Sequence, residues 1–387
     1  MTLHYNKNQI QTAILLVDVG NSAIKLGFSD KHSLHTVCQV AFNKTAGHQS
    51  ASGKTANFKK IEAGLLTVLT ANPAVKHGAI KYEKILMASV CEPDLTAQIA
   101  QVLASACHCD MSNMIILSQE MFWKNKCWQY SDEGSNKLTN PLPDFSRYAP
   151  GQLGIDRQLA VFAAQHICTE KVDMQKSNPK KSNPEKPSSK KSKIKKSNKN
   201  QATIVLSFGT ATTLDILSKS GAYLGGYILP GLQTYISILP TVTQLPALPL
   251  SDLPTQGFDR FGLSTTQSLG LGYSIAYLGG VATLLNCATQ LLSQSHSTGV
   301  ENNTDGKNQD EAQLVLTGGL AHTVVAISKN MKTTSIKTTL AAGYPAQQKA
   351  SVFTGMLPAI SDAAIHDNLV LKGLLRWHQL TASCEIQ

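Results

Sequence analysis

The chain has 387 residues, 42% of them hydrophobic, enough for two domains of ordinary size with a core in each. Its formal net charge is +10, yet eleven lysines against Asp173 and Glu185 between Lys171 and Lys199 supply nine of those charges. The excess therefore belongs to one segment, which has no arginine or aromatic residue to stack on bases, and this argues against nucleic acid as a partner.

The chain begins "MTLHYNKNQIQT", without a basic flank followed by a long apolar region, and nowhere do eighteen apolar residues run together. Neither secretion nor membrane insertion is expected, and a cytoplasmic protein with reduced thiols is. The eight cysteines form no framework; Cys107 and Cys109 flank His108 too tightly for a zinc knuckle. The first patterned stretch is "LLVDVGNSAIKLGF", Leu15 to Phe28, which reads as strand, glycine turn, strand. Asp18 ends the apolar run before the turn of Gly20, Asn21 and Ser22. A carboxylate there can hold Mg²⁺ through water while the turn amides face phosphate oxygens. Lys25 returns on the second strand as a point charge for a phosphate, or as an ordinary surface lysine.

"GHQSASGKT", Gly47 to Thr55, has five residues between Gly47 and Gly53 where a Walker loop has four, and is read as a surface loop. A helix over Lys59–Leu69, a buried strand over Lys84–Val90, a helix over Asp94–Cys107 and a strand over Met114–Leu117 make the first half α/β. Ser131 to Gly151 reads as loop. "LGIDRQLAVFAAQHI" then opens a helix at Asp156 and Arg157, with Leu159, Phe162, Ala163 and Ile167 as its apolar face. An acid in a first turn complements the helix dipole; functionally, it can also take a proton from a substrate hydroxyl while Arg157 orients an anionic group. The lysine-rich segment, with repeated Ser-Asn-Pro, cannot bury enough surface to fold.

"IVLSFGTATTLDI", Ile204 to Ile216, repeats the first hairpin: Asp18 aligns with Ser207, Gly20 with Gly209, Asn21 with Thr210 and Ser22 with Ala211. Gly209 can take positive φ and admit an anion to the amides, and Thr210, Thr212 and Thr213 can add hydroxyl bonds. Two such hairpins across a cleft could grip a nucleotide's phosphates. Gly225, Gly226 and Gly231 surround a short strand, marking close approach to a ligand or another strand. A long helix follows, whose Gly272 and Gly279 permit tight packing. Ser293 to Glu311 is a polar loop, and in "QLVLTGGLA" Gly318 and Gly319 leave a flat space suited to adenine or ribose.

In order along the chain, "DVGNSAIK" at Asp18 to Lys25, "GIDR" at Gly154 to Arg157, "SFGTATTLD" at Ser207 to Asp215, "GGYILPG" at Gly225 to Gly231 and "TGG" at Thr317 to Gly319 resemble the motifs of type III pantothenate kinases. That family belongs to the superfamily of acetate and sugar kinases, Hsp70 and actin. "ASV" near Ser89 and the terminal "LVLKGLL" are also similar; Lys171 to Lys199, Ser293 to Glu311 and about Asn330 to Ile365 are not covered. The resemblance implies two ribonuclease-H-like domains, with mixed sheets flanked by helices and phosphate hairpins facing a central cleft. Their expected limits are 1–168 and 202–387, around a disordered insertion at 169–201. It implies a homodimer and ATP-dependent phosphorylation of pantothenate, the first step toward coenzyme A.

By that likeness Asp156 is the general base, and Gly154, Ile155, Asp156, Arg157, Thr265 and Tyr148 bind pantothenate. Asp18, Val19, Gly20, Asn21, Ser22, Lys25, Gly209, Thr210, Gly318 and Gly319 bind ATP, and Asp18 holds Mg²⁺ through water. The pattern departs at three positions. Ser22 replaces a threonine, Arg147 stands where the family has a tyrosine one place before Tyr148, and Ser207 replaces an aspartate that binds a monovalent cation, K⁺ or NH₄⁺. Two other readings stay open: a non-catalytic relative acting as a regulatory or nucleic-acid-binding accessory factor, and a sugar or acetate kinase of the same fold.

Overall fold

The computed structural model describes residues 11–30, 32–42, 51–71, 80–124, 143–176, 201–254, 256–258, 260–295, 312–333 and 357–384. Its strands are β1 (Gln11–Val19), β2 (Ala23–Ser29), β3 (Leu34–Ala41), β4 (Ile80–Ser89), β5 (Met114–Ile116), β6 (Thr203–Phe208), β7 (Ala211–Leu217), β8 (Tyr223–Pro230), β9 (Gln313–Thr317) and β10 (Ala364–Ile365). Its helices are α1 (Ala51–Ala71), α2 (Pro93–Ala106), α3 (Gln119–Lys124), α4 (Ile155–Lys176), α5 (Leu232–Val242), α6 (Thr265–Ser295), α7 (Ala321–Thr333) and α8 (Leu369–Cys384). Two compact units result: Met1–Leu138 with Ala149–Ala163 and Asn368–Gln387, and Thr139–Tyr148 with Ala164–Asp367.

The first unit is a five-stranded sheet in the order β3-β2-β1-β4-β5. β2 runs antiparallel to β1 and β3, while β4 lies parallel to β1 and β5 parallel to β4. Leu15, Leu16 and Val17 form an unbroken apolar run because β1 is central and covered on both faces. One face meets Ile61, Leu65 and Leu69 of α1 and Ile99 and Leu103 of α2. α8 packs across β1, β3 and β4, and its Leu371 reaches the place a side chain on Gly27 would take.

The second unit repeats the pattern with a sheet in the order β10-β9-β6-β7-β8. β7 is antiparallel to β6 and β8, β9 is parallel to β6, and β10 is parallel to β9. Two mixed sheets with the same strand order, each flanked by helices, form a pair of ribonuclease-H-like units, as the motif resemblance implied. α6 buries Tyr277, Leu278, Val281, Leu285 and Leu292 in the second core. By length and composition alone α6 also meets the description of a membrane span, with mean hydropathy 1.4 over an 18-residue window, 39% of it buried; its buried residues pack in the second core.

Several sequence expectations shift. The C-terminal helix belongs with the first sheet, because Leu369, Leu371, Leu374 and Trp377 are buried there; an amphipathic pattern announces a buried face but not its partner. α4 runs on to Lys176, into the stretch expected to be insertion, since no Gly or Pro intervenes before Pro179; residues 177–200 lie outside the described residues. Ala51–Thr55, expected as loop, is the first turn of α1, while 47–50 are outside the description, as are 125–142 and 296–311 of the other two expected loops. The second hairpin is one residue shorter than the first. Gly20 N–H bonds the carbonyl of Ala23, but Gly209 N–H bonds that of Ala211, so Ser22 is a loop residue and Ala211 a strand residue, and their alignment fails.

Gly209 does not use positive φ. Gly318 does, at φ +98°, and a Cβ there would lie 2.3 Å from the carbonyl oxygen of Phe208. Its missing side chain makes room for β6 backbone, not for a ligand as expected. Gly272 is exposed on α6 with nothing within 4 Å of a built Cβ, so it does not serve tight packing; Gly270, against Pro254, does. Gly318→Ala should therefore destabilise the fold by about 2 kcal/mol or more. Gly272→Ala should stabilise it by about 0.5–1 kcal/mol, the helix-propensity gain. Urea midpoints at unchanged m-value measure both, and equal midpoints would contradict these roles.

Candidate active site

The first hairpin turns through Gly20, Asn21 and Ser22, with Asn21 and Ser22 exposed and Val19 buried behind them. Only the Ala23 carbonyl, at 3.3 Å, comes within 4 Å of a Cβ built on Gly20, so the outer side of the turn is open. The turn is held from behind. Val90 N–H donates to Val19 O at 3.1 Å, Phe42 N–H to Ser22 O at 2.9 Å, and the Cys91 thiol to Gly20 O at 3.4 Å. Ser89 Oγ accepts from Cys91 N–H and pairs with Thr96 Oγ1 at 2.7 Å, tying this brace to α2. The brace from Cys91 was not foreseen; "ASV" at Ser89 was its only trace in the sequence.

Antiparallel register sets Asp18 opposite Lys25, which places both side chains on one face. Asp18 keeps part of its surface accessible but is enclosed enough that desolvation pushes its carboxyl up to about 7; Lys25 pulls it back, and the charge of Asp156 raises it further. Asp156 and Asp18 therefore share one electrostatic field within the first unit. Asp156 stands in the first turn of α4, where Oδ1 accepts the Arg157 N–H at 2.8 Å. That oxygen lies 2.5 Å from where a Gly154 Cβ would be, so any larger residue at 154 would displace the carboxylate. Ile155 is buried, whereas Asp156 and Arg157 are half-buried.

In the second unit, Gly209 is open apart from the Ala211 carbonyl at 3.5 Å, and Thr210 is exposed. Gly231 N–H and Thr234 Oγ1 both donate to Thr210 O, at 3.0 and 2.8 Å, and a Cβ on Gly231 would overlap the Gly209 carbonyl. Gly231 thus serves backbone contact, as does Gly226 against Leu214. Leu320 N–H bonds Phe208 O from the other side, and Gly319 has open space around it. Ser207 sits between Thr213 on β7 and Thr317 on β9, neutral oxygens on both sides. Asp215 is buried, accepting from Tyr223 Oη at 2.7 Å and Thr213 Oγ1 at 3.3 Å.

Thr265 begins α6 beside an open groove of about 630 Å³ lined by Leu245, Gly262, Leu263, Ser264, Ser268 and Leu269. Ser264 Oγ accepts Gln267 N–H and Gln267 Oε1 accepts Leu263 N–H, a reciprocal cap that fixes this end of the helix. Tyr148 stacks edge-on against Tyr223 at 5.5 Å, next to Phe145. Cys38, Cys91, Cys107, Cys109, Cys168 and Cys287 carry unbridged thiols, and among the described residues no three His, Cys, Asp or Glu side chains could jointly hold a metal ion.

Asp18 gives a pH-dependent prediction. Its carboxyl titrates at about 7 in the folded chain against an ordinary 3.8, so between these values the folded state holds a proton that the unfolded state releases. Stability from this group is greatest below about 3.8 and is lost as pH rises to about 7. Asp18→Asn should raise the melting temperature by several degrees at pH 8 and by clearly less at pH 5. A gain independent of pH, or a loss at pH 8, would contradict the assignment.

The family model for type III pantothenate kinase matches residues 193–286, about a quarter of the chain. A type III pantothenate kinase from Desulfotalea psychrophila is 25% identical over 247 residues, covering 64% of this chain and 74% of the relative. One from Desulfatibacillum aliphaticivorans is 28% identical over 134 residues, 34% of this chain and 45% of the relative. One from Pseudoalteromonas translucida is 38% identical over 82 residues, 21% and 34%. The chain thus spans less than half the length of two of these three curated relatives. Among solved structures, MreB 5 of Spiroplasma citri bound to AMPPNP is 10% identical, with 94% of each chain covered and a TM-score of 0.39. The fold rests on strand order rather than on so loose a superposition. By sequence, the chain is similar to type III pantothenate kinases over parts of its length.

Proposed function

We propose that this protein transfers the γ-phosphoryl group of ATP to the hydroxyl of pantothenate, giving 4'-phosphopantothenate. The observation that carries the reading is the pairing of two carboxylates of one unit in one field: Asp156 at the start of α4, and Asp18 beside the open Gly20 turn. Phosphoryl transfer needs positioning and charge neutralisation more than covalent help, and that is what amide-lined turns, one lysine, one arginine and two acids supply. Asp156 takes the proton of the attacking hydroxyl, the hydroxyl oxygen bonds to phosphorus, and ADP leaves. Gly154, Ile155 and Arg157 hold pantothenate, with Arg157 on its carboxylate.

The turn amides of Gly20, Asn21 and Ser22, with Lys25, Gly209 and Thr210, hold ATP phosphates, and Gly319 leaves room for its nucleoside. The donor set fits Mg²⁺. Two acids near one lysine leave Asp18 short of positive charge, and this metal binds through one or two carboxylates, substrate phosphates and retained waters. Bound there through water by Asp18, it would neutralise the phosphate charge. Phe261 and Leu263, 93% and 92% exposed beside Thr265, are apolar surface that a second copy would cover, in keeping with a homodimer that completes the substrate site around Thr265 and Tyr148. A cytoplasmic location accords with this chemistry.

Asp156→Asn should leave the melting temperature and ATP binding near the parent's while lowering turnover with pantothenate by about 10²- to 10⁴-fold. Consumption of ATP is measured with pantothenate against a panel of sugars and short acids. A near-normal rate in the variant, or a parent that turns over a sugar or acetate instead, would overturn the reading.

Ser207 gives a second test, since its hydroxyl offers a monovalent cation a neutral oxygen, and the Asp215 carboxylate that meets Thr213 already accepts from Thr213 and Tyr223. The parent should show little activation by K⁺ or NH₄⁺ at fixed ionic strength, and Ser207→Asp should acquire it. Strong saturable activation of the parent would contradict this.

A further inference from the structure

Gln158 sits two residues beyond Asp156, interrupting an otherwise apolar face of α4, and is 1% exposed. Gly154 precedes the helix and has no side chain to cap it, and Leu153 and Gln158 occupy the two positions that an apolar staple usually joins across a helix start. Here the staple is polar. Gln158 Nε2 donates to Leu153 O at 2.9 Å, and Gln158 N–H donates to Gly154 O at 3.1 Å. The second is the regular helical bond that any residue but proline would make there; the first belongs to the glutamine side chain alone and holds the carbonyl just before the segment that presents Asp156. Gln158 Oε1 is fully buried without a hydrogen-bond partner among the described residues. A buried amide oxygen left unpaired is a cost that a leucine of similar size would avoid, so stability alone does not explain glutamine there.

We infer that Gln158 is a positioning residue for the Asp156 carboxylate: its side-chain bond to the Leu153 carbonyl fixes the Leu153–Gly154 backbone, and thereby the space over Gly154 into which Asp156 Oδ1 fits. This rests on the reading of Asp156 as general base. The carboxylate occupies the space that a side chain on Gly154 would fill and accepts the Arg157 N–H at 2.8 Å, so a shift of that backbone moves the proton acceptor off line.

Gln158→Leu and Gln158→Met test it. Both should keep or raise the melting temperature while lowering kcat with pantothenate by about tenfold or more. The KM for ATP should stay within about twofold, because the ATP-binding turns are not tethered by Gln158. Amide hydrogen exchange over residues 153–158 should quicken in both variants, a readout that needs no substrate. Unchanged kcat with unchanged exchange would overturn the inference. So would a fall in kcat that tracks a fall in melting temperature, which marks an ordinary core residue. If the parent itself does not phosphorylate pantothenate, the functional reading fails, and exchange alone then decides whether Gln158 fixes this backbone.

Discussion

The constraint on which the first unit depends is that Asp18 and Asp156 sit in one electrostatic field with Lys25 close by. Burial alone would favour a protonated Asp18, and Asp156 adds to that; Lys25, placed opposite by strand register, opposes both. A carboxylate so poised is costly in the resting chain, and the divalent cation or metal–nucleotide complex of the proposed function would relieve it. On that proposal, lost stability and gained affinity for a cation would be two sides of one arrangement.

The two hairpins are held by different means toward the same end. In the first unit, Val90 and Cys91 at the end of β4 support the turn through backbone and thiol bonds. In the second, Gly231 and Gly318 bring backbone into contact with the turn, and Leu320 plays the part of Val90 at the end of β9. In each unit the residues after the parallel neighbour of the central strand support the hairpin from behind and leave its outer amides open. The glycines that matter most sterically are therefore not those at the tips but those that let another backbone come near, while Gly154 makes room for the Asp156 carboxylate.

Much of this was legible in the sequence. Unbroken apolar runs marked β1 and β6 as central strands, and the acid-lysine spacing from Asp18 to Lys25 put both on one face once register was known. "GIDR" located a helix start with a carboxylate in its first turn. Less was legible where long-range contact decides. The amphipathic pattern of α8 does not say which sheet it covers. The one-residue difference between hairpin loops follows from hydrogen-bond closure, which an ungapped alignment cannot see. Gly318 read as ligand space, and Gly231 as approach to a ligand or another strand, because a missing Cβ looks the same in sequence whether a nucleotide or a neighbouring strand fills it. Gln158 carried a signal, a polar residue on an apolar helix face, whose meaning depends on the carbonyl of Leu153.

Titration of the Asp18 carboxyl by carbon-13 NMR, in the parent and in Asp156→Asn, addresses the central claim most directly. The account predicts an apparent pKa of about 7 in the parent and a smaller, measurable fall when the charge at position 156 is removed, since burial is the larger cause of the shift. An Asp18 that titrates near the ordinary 3.8, with no response to Asp156→Asn, would show that the two carboxylates do not share a site and would contradict the account.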